Sequence, residues 1–507
     1  MIKNSLGRMI LKPFIPYDKP DSLIQKNPRF MKEVYTTNTN KLVKSLSEVF
    51  DKINIKDGMT LGFHHHLRNG DYVLNMVAEE IKKRNLKDIT IAASGIFPVH
   101  EPLVSLIKNE NIAMIYSNYM NGAVAKAVSK GYLKYPAILD THGGRARAIE
   151  TGELIIDVAF IAVPTSDKNG NGTGAFGPSA CGSLGYAMSD MKYAKNKVVI
   201  TDNLVNEVPR IEIEAKYIDY VLKVDKIGDQ DGIFSGTTRP TKDPVQLKIA
   251  RNTATLIKDL DLIKEGFSMQ TGAGATSLAV AGAIRSLMVQ NKVIGSFASG
   301  GITAYLVDML NNHLFENLYD VQCFDNVAIE SYRTNPKHLP LTASSYASVY
   351  GNPIVNKLDV VILGATEIDK DFNCNVTTDS NNIIIGGSGG HSDAAYGAKI
   401  TIITTNLIKS RLPIIKKEIT TVTTPGESID VIVTERGIAI NPLRKDLIEK
   451  LKDSKLIFKT IDELIEIAEK ITHKPEPLKK GGKVVALVRY RDGSFIDSIY
   501  QNITDNE

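Results

Sequence analysis

The sequence contains a long internal repeat, and this repeat constrains the fold more than any other feature. The segment IKDGMTLGFHHHLRNGDYVLNMV begins at Ile55 and is matched by IKEGFSMQTGAGATSLAVAGAI from Ile263. A second pair follows, IDVAFIAVPTSDKNGN from Ile156 and LDVVILGATEIDKDFNCN from Leu358. Such long copies indicate an internal duplication rather than a solenoid, whose repeats span roughly 20 to 50 residues. The pattern therefore predicts two related domains in tandem.

Each copy has the pattern of an open α/β domain. In the first copy, an apolar strand at residues 59–63 precedes a stretch with apolar residues at every third or fourth position, and a second strand follows at residues 89–93. Near-continuous apolar runs at residues 158–163 and 360–363 are typical of parallel strands covered on both faces. The predicted fold class is α/β, with two related, mainly parallel domains and a small C-terminal β extension.

The boundary between the domains is predicted in a polar stretch rich in glycine, proline and charge, GDQDGIFSGTTRPTKDP, at residues 228–244. This gives an N-terminal domain of residues 1–240 and a C-terminal domain of residues 241–507. After residue 471, the loop THKPEPLKKGG leads into KVVALVRYRDGSFIDSIYQ, which is typical of a hairpin that turns at Arg491-Asp492-Gly493. We assign this hairpin to the C-terminal domain as an accessory tail.

Composition excludes several classes of function. The chain has 61 basic and 57 acidic residues, a net charge of +4 that is too small for its 507 residues to indicate a nucleic-acid binder. No run of about 18 apolar residues predicts a membrane span, and the N-terminus lacks the pattern of a secretory signal. Three cysteines argue against a disulfide framework and favour a reducing, cytoplasmic environment.

Two loops that follow strands carry imidazole and guanidinium groups, and parallel sheets bind ligands at this end of their strands. FHHHLRNGD and DTHGGRARAIETGE could supply donors for carboxylates. Alternate residues of an extended segment face opposite ways, so at most His64 and His66 could share a metal, and a structural role or a solvated helix face stays open. The candidate substrate ligands are His64, His65, His66, Arg68, Asn69, His142 and Arg145.

Three glycine-rich loops could let the backbone approach a bulky ligand. QTGAGATS carries Gly272 and Gly274 but is neither a full dinucleotide fingerprint nor a Walker loop, and a tight turn is the alternative. GSFASGG spans residues 295–301, and IIIGGSGGHSDAA follows an apolar run with Gly386, Gly387, Gly389 and Gly390. Cys181 is best explained as a small buried residue, and the cysteine spacing predicts no metal site.

These motifs together resemble the citrate lyase α subunit family, the citrate CoA-transferase component of that bacterial complex. The resemblance rests on GFHHHLRNGDYVLN, DTHGGRARAIETGEL, IDVAFIAVPT, SACGSLGYAM, QTGAGATSLAV, GSFASGGITAYLVDML and GGSGGHSD, in this order along most of the chain. It implies two tandem CoA-transferase domains, in agreement with the repeat.

The resemblance implies that acetyl thioester and citrate exchange to give citryl thioester and acetate. The thiol would belong to the phosphoribosyl dephospho-CoA group of an acyl carrier (γ) subunit, with acetyl-CoA as a possible substitute, and no cofactor would be bound permanently. A citryl lyase (β) subunit would perform the cleavage. Citramalate lyase α subunit, another acyl-CoA transferase and a non-catalytic scaffold are the alternatives.

Many CoA-transferases use a glutamate, which would fall in the GSFASGG segment, where this chain has Phe297, Ala298 and Ser299 instead. We therefore predict direct attack by a citrate carboxylate, through a mixed anhydride and without a covalent enzyme intermediate. The catalytic groups are not identified by the sequence, but Ser299, Gly300 and Gly301 are candidate oxyanion donors, and the six other glycines named above are candidates for holding the CoA-like group.

Overall fold

The computed structural model describes residues 1–234, 241–272, 274–474 and 480–503. The boundary predicted between residues 240 and 241 falls at the edge of these ranges and stays a prediction. Ala273 of the QTGAGATS loop and residues 475–479 before the hairpin also lie outside the described residues.

The first half of the chain forms most of a ten-stranded sheet. Every neighbouring pair of strands in it is parallel except the last two, which form the C-terminal hairpin. In spatial order the strands are Leu42–Val43, Tyr220–Lys223, Asn196–Thr201, Val158–Ala162, Thr60–Phe63, Ile89–Ala93, Ile112–Ser117, Ala137–Leu139, Lys480–Arg489 and Phe495–Asn502.

The second half forms an eight-stranded sheet, again parallel apart from one edge pair. In spatial order its strands are His338–Pro340, Phe315–Cys323, Gly295–Ile302, Ser268–Thr271, Val360–Leu363, Ile400–Thr404, Val431–Val433 and Ile438–Ile440.

The two sheets have the same topology. From Thr60–Phe63 in one half and Ser268–Thr271 in the other, seven strands numbered along the chain lie in the order 4-3-2-1-5-6-7 in both sheets. This shared order confirms the α/β class and the mainly parallel sheets predicted from the repeat. Because most strands within each sheet run in the same direction, the loops that follow these strands lie together at one edge of that sheet.

Helices cover the sheets and follow the predicted amphipathic pattern. Val73–Arg84 buries Val73, Leu74, Val77 and Ile81, and it ends where Asn85 takes a left-handed conformation. The other α-helices are Leu46–Ile53, Leu103–Lys108, Gly122–Ser129, His142–Glu150, Met188–Tyr193, Pro244–Asp259, Ala275–Asn291, Ala304–Asn311, Asn326–Thr334, Ala343–Ala347, His391–Gly397, Lys445–Lys450 and Ile461–Thr472. In the described part of the chain, none of the helices has the length and apolar character needed to cross a bilayer.

The C-terminal hairpin forms as predicted but in the other half of the molecule. Ala486, Leu487 and Val488 pair in parallel with Ala137–Leu139 of the first sheet. The assignment of this hairpin to the second domain is therefore wrong. Its apolar strand pairs with the edge of the first sheet, and without this pairing the edge would expose unpaired backbone groups.

Two glycine-rich segments also differ from expectation. GSFASGG is not a loop but part of the strand Gly295–Ile302, with a register shift between Gly300 and Gly301. The apolar run before GGSGG is not a regular strand, since only Ile384 forms an isolated bridge, to Thr378. Periodicity does not distinguish these cases, because a glycine run is compatible with a turn, a bulge or a close packing contact.

Candidate active site

A cleft of about 320 Å³ lies between the two halves, at the strand ends of both sheets. The first half contributes one arginine together with aromatic and imidazole rings, and the second half mostly glycines and amides. Its lining residues are His65, Arg68, Phe97, Tyr119, His142 and Tyr186 from the first half, and Gln270, Thr271, Gly272, Gly300, Gly301, Val321, Gln322, Phe324, Tyr346, Leu363, Gly387, Ser388, Gly389, Gly390 and His391 from the second.

The three consecutive histidines alternate between two faces, as predicted. His64 and His66 converge, with 2.6 Å between their Nδ1 atoms, but they lie behind the cleft rather than in it. His65 faces the cleft, shares a 2.6 Å hydrogen bond with Ser94 through Nδ1, and stacks on Tyr186. The structure thus places only His65 of the three at the cleft surface.

The histidines at the cleft are neutral. Burial, together with the nearby Arg145, lowers the pKa of His142 to about 3. Burial is also the main cause that lowers the pKa of His64 and His391 to about 4 and holds the pKa values of His65 and His66 well below their usual range. At pH 7 these imidazoles can donate or accept hydrogen bonds without contributing positive charge.

Arg68 supplies the one permanent positive charge among the described residues of the lining. Its guanidinium lies over the ring of Phe324 at 4.6 Å and near that of Phe97 at 5.7 Å. Its Nη1 is buried without a hydrogen-bond partner among the described residues. The backbone is left-handed here, with φ +51, which is an uncommon conformation for arginine. A cation held in this way is suited to an anionic ligand.

Arg145 and Asn69, both predicted as substrate ligands, lie outside the cleft. Arg145 is buried, and its two terminal nitrogens donate to Asp190 at 2.6 and 2.8 Å and to the Ala92 carbonyl. An arginine that is already paired bidentately has little capacity left for a substrate carboxylate. Asn69 is exposed and accepts a hydrogen bond from the Val99 amide.

Most of the glycines predicted to hold the CoA-like group line the cleft. Gly272, Gly387, Gly389 and Gly390 are at its surface, whereas Gly274 and Gly386 are not. One of these glycines, Gly387, is explained by packing between the halves, because a Cβ there would lie 2.3 Å from the Asn118 carbonyl oxygen. Their abundance is therefore partly a structural requirement of the interface.

The candidate oxyanion donors divide in the same way. Gly300 and Gly301 line the cleft, and Gly300 has φ +107, which favours glycine. Ser299 is wholly buried, and its hydroxyl has no hydrogen-bond partner among the described residues. The backbone bulge, rather than the serine hydroxyl, is therefore the part of this segment that a ligand can reach.

Sequence reasoning missed several lining residues, chiefly Tyr186, Tyr346, Gln270 and His391. Gln270 donates from Nε2 to the Tyr346 hydroxyl at 2.8 Å, and burial raises the pKa of that phenol. His391 stands in the quoted motif GGHSD and shares hydrogen bonds with Thr424 and the Gly364 carbonyl. The quoted motifs contain His391, Gln270 and Tyr186 and were a usable signal for them, whereas Tyr346 lies in no motif and carries no pattern that separates it from the core.

Among the described residues, carboxylates and thiols do not contribute to the lining of the cleft. No aspartate or glutamate belongs to the lining among the described residues. All three cysteines are buried, and burial raises their pKa values well above the usual range. In the described ranges, Asp320, Cys323 and His338 form the one group of three converging potential metal ligands, and these buried side chains already hydrogen-bond to one another.

Comparisons with known proteins agree with this architecture. The family model for citrate lyase, alpha subunit, matches residues 39–502. The citrate lyase alpha chain of Haemophilus influenzae is 42% identical over 488 residues, covering 96% of this chain and 97% of the relative. That of Klebsiella pneumoniae is 42% identical over 464 residues, covering 91% of each chain.

Solved structures show the same relationship. The putative citrate lyase α subunit from Streptococcus mutans, solved in complex with citrate, has a TM-score of 0.96 and 44% identity, covering 99% of this chain and all of that one. A Pseudomonas malonate decarboxylase hetero-tetramer shares the fold alone, with a TM-score of 0.63 and 14% identity over 86% of this chain and 85% of that one. The chain described here therefore belongs to the citrate lyase α subunit family.

Proposed function

We propose that this chain is the citrate CoA-transferase subunit of a citrate lyase complex. It exchanges acetyl for citryl on the thiol of the phosphoribosyl dephospho-CoA group of an acyl carrier subunit, or on CoA itself. Acetyl thioester and citrate give citryl thioester and acetate, and a separate β subunit cleaves the citryl thioester. With three buried free cysteines, the chain suits a reducing compartment, and we place the complex in the cytoplasm.

The observation that carries this proposal is the difference in chemical composition between the two walls of the cleft. One wall presents an unpaired arginine and neutral histidines, which suits a carboxylate substrate. The other presents glycine backbone, which suits a thioester and the oxyanion formed from it. The Streptococcus mutans relative bound to citrate supports the same choice of substrate.

The reaction proceeds without a covalent bond to the protein. A citrate carboxylate oxygen attacks the acetyl carbonyl carbon, the C–S bond breaks, and the released thiolate then attacks the citryl carbonyl of the mixed anhydride to expel acetate. The lack of an acidic side chain among the described lining residues supports this direct route over an acyl-glutamate route. Gly300 and Gly301 are the proposed oxyanion donors, and one such donor is worth about 3 to 4 kcal/mol.

Binding roles follow from position. We assign His65, Arg68 and His142 to citrate, and Gly272, Gly387, Gly389 and Gly390 to the CoA-like group. Orientation of the two substrates in one cleft contributes up to about 7 to 11 kcal/mol in favourable cases. The subunit therefore needs no general acid or base of its own.

An exchange assay tests the proposal. The isolated chain is mixed with ¹⁴C-acetyl-CoA or the acetylated carrier, and with citrate, citramalate or succinate in separate reactions. We expect citryl thioester and labelled acetate in equal amounts, and no label on the chain after rapid quenching. Exchange with citramalate alone would favour the citramalate lyase reading, and a label that stays on a side chain would refute direct transfer. A chain that assembles with its partners but exchanges nothing would be a scaffold.

A further inference from the structure

The carboxylate of Asp393 joins the two halves of the molecule behind the cleft. Its Oδ1 accepts a 2.9 Å hydrogen bond from the Thr141 hydroxyl, and its Oδ2 accepts one of 2.9 Å from the Gly143 amide. Asp393 lies in the helix His391–Gly397 of the second half and is completely buried. The carboxylate of one half therefore caps the helix of the other half that begins with His142.

Further hydrogen bonds surround this contact. The His142 amide donates to the Gly389 carbonyl at 2.8 Å, and the Gly389 amide donates to the Asn118 carbonyl at 3.1 Å. The Asn118 side chain in turn donates to the Thr141 carbonyl. We call Asn118, Thr141, His142, Gly389 and Asp393 the interdomain clamp; it contains two residues of the cleft lining, His142 and Gly389.

The clamp has little room for adjustment. A Cβ at Gly143 would lie 2.1 Å from the Ala347 carbonyl oxygen, and a Cβ at Gly387 would lie 2.3 Å from the Asn118 carbonyl oxygen. Both glycines are thus required by close contact between the halves. In such tight packing, the hydrogen bonds of the clamp fix a distance rather than merely add stability.

Burying a carboxylate between two domains costs free energy, because the charged form loses its hydration. Burial raises the pKa of Asp393 to about 6, although Arg491, the Gly143 amide and the Thr141 hydroxyl act in the opposite direction. Apolar residues of similar volume often give equal or greater stability at such positions. A directional acceptor is the better choice where exact placement of a neighbouring group matters.

We propose that Asp393 is a positioning residue for acyl transfer, which sets the distance between the His142 side of the cleft and its glycine-lined side. This inference rests on the proposed function, because it assigns citrate to one side and the thioester to the other. A displacement of about 1 Å between reacting groups can lower a rate about 100-fold. Loss of the clamp should therefore slow transfer more than it weakens the binding of either substrate.

The test compares Asp393→Ala, Asp393→Asn and a control, Asp430→Ala. The control removes another buried carboxylate of the second half, which accepts a 2.7 Å hydrogen bond from the Thr401 amide and lies outside the cleft. For each chain we measure kcat for exchange, the Kd of citrate by calorimetry, and amide hydrogen exchange in residues 141–150 and 386–392. Thr141→Val and Thr141→Ser serve as a second pair if Asp393→Ala does not fold.

Asp393→Ala should lower kcat about 10- to 100-fold, change the Kd of citrate less than about threefold, and speed amide exchange in both segments. Asp393→Asn should recover kcat to within about fivefold, because its amide can accept from Gly143 and donate to Thr141. The control should lose stability and keep kcat. An unchanged kcat in Asp393→Ala, an equal loss in the control, or no recovery by asparagine would overturn the inference.

The two hypotheses fail in different ways. A wild-type chain without exchange activity would refute the proposed function. The amide-exchange measurement would then still decide on the clamp, because unchanged protection of both segments in Asp393→Ala would overturn it without reference to turnover.

Discussion

Arg68→Gln should weaken citrate binding more than any other single substitution on the first-half wall of the cleft. This arginine carries the one permanent charge among the described residues of the lining, and its Nη1 has no hydrogen-bond partner there. Glutamine keeps a similar length and some donor capacity but removes the charge and the planar fork. The substitution thus isolates the ionic contact from the shape of the cleft.

The expected magnitude follows from the burial of the contact. A hydrogen bond to a charged group contributes about 1.5 to 3 kcal/mol, and each 1.4 kcal/mol is a factor of ten in affinity. We therefore expect the Kd of citrate to rise about 10- to 150-fold. Arg68→Lys should lie between glutamine and wild type, because it keeps the charge but loses both the fork and the stacking on Phe324, whose centroid is 4.6 Å from the guanidinium.

Isothermal titration calorimetry with citrate measures the effect, and Arg210→Gln is the matched control. Arg210 also lies on an aromatic ring, 4.0 Å from the centroid of Tyr332, and donates to the Tyr332 carbonyl, but it is outside the cleft. The control should bind citrate like wild type. If Arg68→Gln also stays within about twofold of wild type, Arg68 does not bind citrate, and the charge argument for the first-half wall is wrong.

Three further predictions concern titration, thiols and glycine packing. Burial lowers the pKa of His142 to about 3 in the folded chain, so the unfolded chain binds more protons between about pH 3 and 6.5. As the pH falls through this range, His142 should therefore lower the free energy of unfolding by about 1.4 kcal/mol per pH unit. Urea titrations of wild type and His142→Gln at pH 7 and 5.5 check this, and a variant with the same pH dependence as wild type would contradict it. All three thiols should react slowly with Ellman's reagent at pH 8 until the chain is unfolded, since they are buried with raised pKa values. Rapid labelling of the folded chain with loss of exchange activity would instead indicate a cysteine that acts as a nucleophile. Gly387→Ala should lower the melting temperature by several degrees, because its Cβ would lie 2.3 Å from the Asn118 carbonyl oxygen. Gly482→Ala, whose Cβ would have no atom within 4 Å, should leave the melting temperature unchanged. Equal melting temperatures of the two variants would refute the packing explanation.

Sequence reasoning predicted the architecture well because the repeat is a property of the whole chain. The repeated motifs gave the two related α/β halves, and the shared strand order of the two sheets confirms them. The hairpin was placed in the wrong half because periodicity identifies strands but not their partners. Residues 480–502 contact the edge strand Ala137–Leu139 only in the folded chain, so the local sequence does not predict this pairing.

The lining of the cleft could be predicted only in part, for physical reasons. Strand-end loops indicated His65, Arg68 and His142, and the structure places all three at the cleft, since parallel strands bring such loops to one edge. Arg145 lies outside the cleft because it pairs with Asp190, which is 45 residues away, and no local pattern in the sequence predicts this pair. The glycines are harder to interpret from sequence, because close packing also requires glycine: a Cβ at Gly387 would lie 2.3 Å from the Asn118 carbonyl oxygen of the other half.

The electrostatics of the cleft fit a reaction in which the substrate itself is the nucleophile. A carboxylate that must attack a thioester needs to be held without being strongly neutralised, since ion pairs that stabilise the ground state do not accelerate the reaction. The structure provides one arginine and histidines whose pKa values burial lowers, so most donors to the carboxylate are uncharged. On the opposite wall, Gly300 and Gly301 line the cleft, and in the proposed mechanism their backbone would face the negative charge of the tetrahedral intermediate. Under the proposed function, the same burial that keeps the histidines neutral would therefore preserve the reactivity of the bound carboxylate, and the clamp at Asp393 would keep it within reach of the thioester.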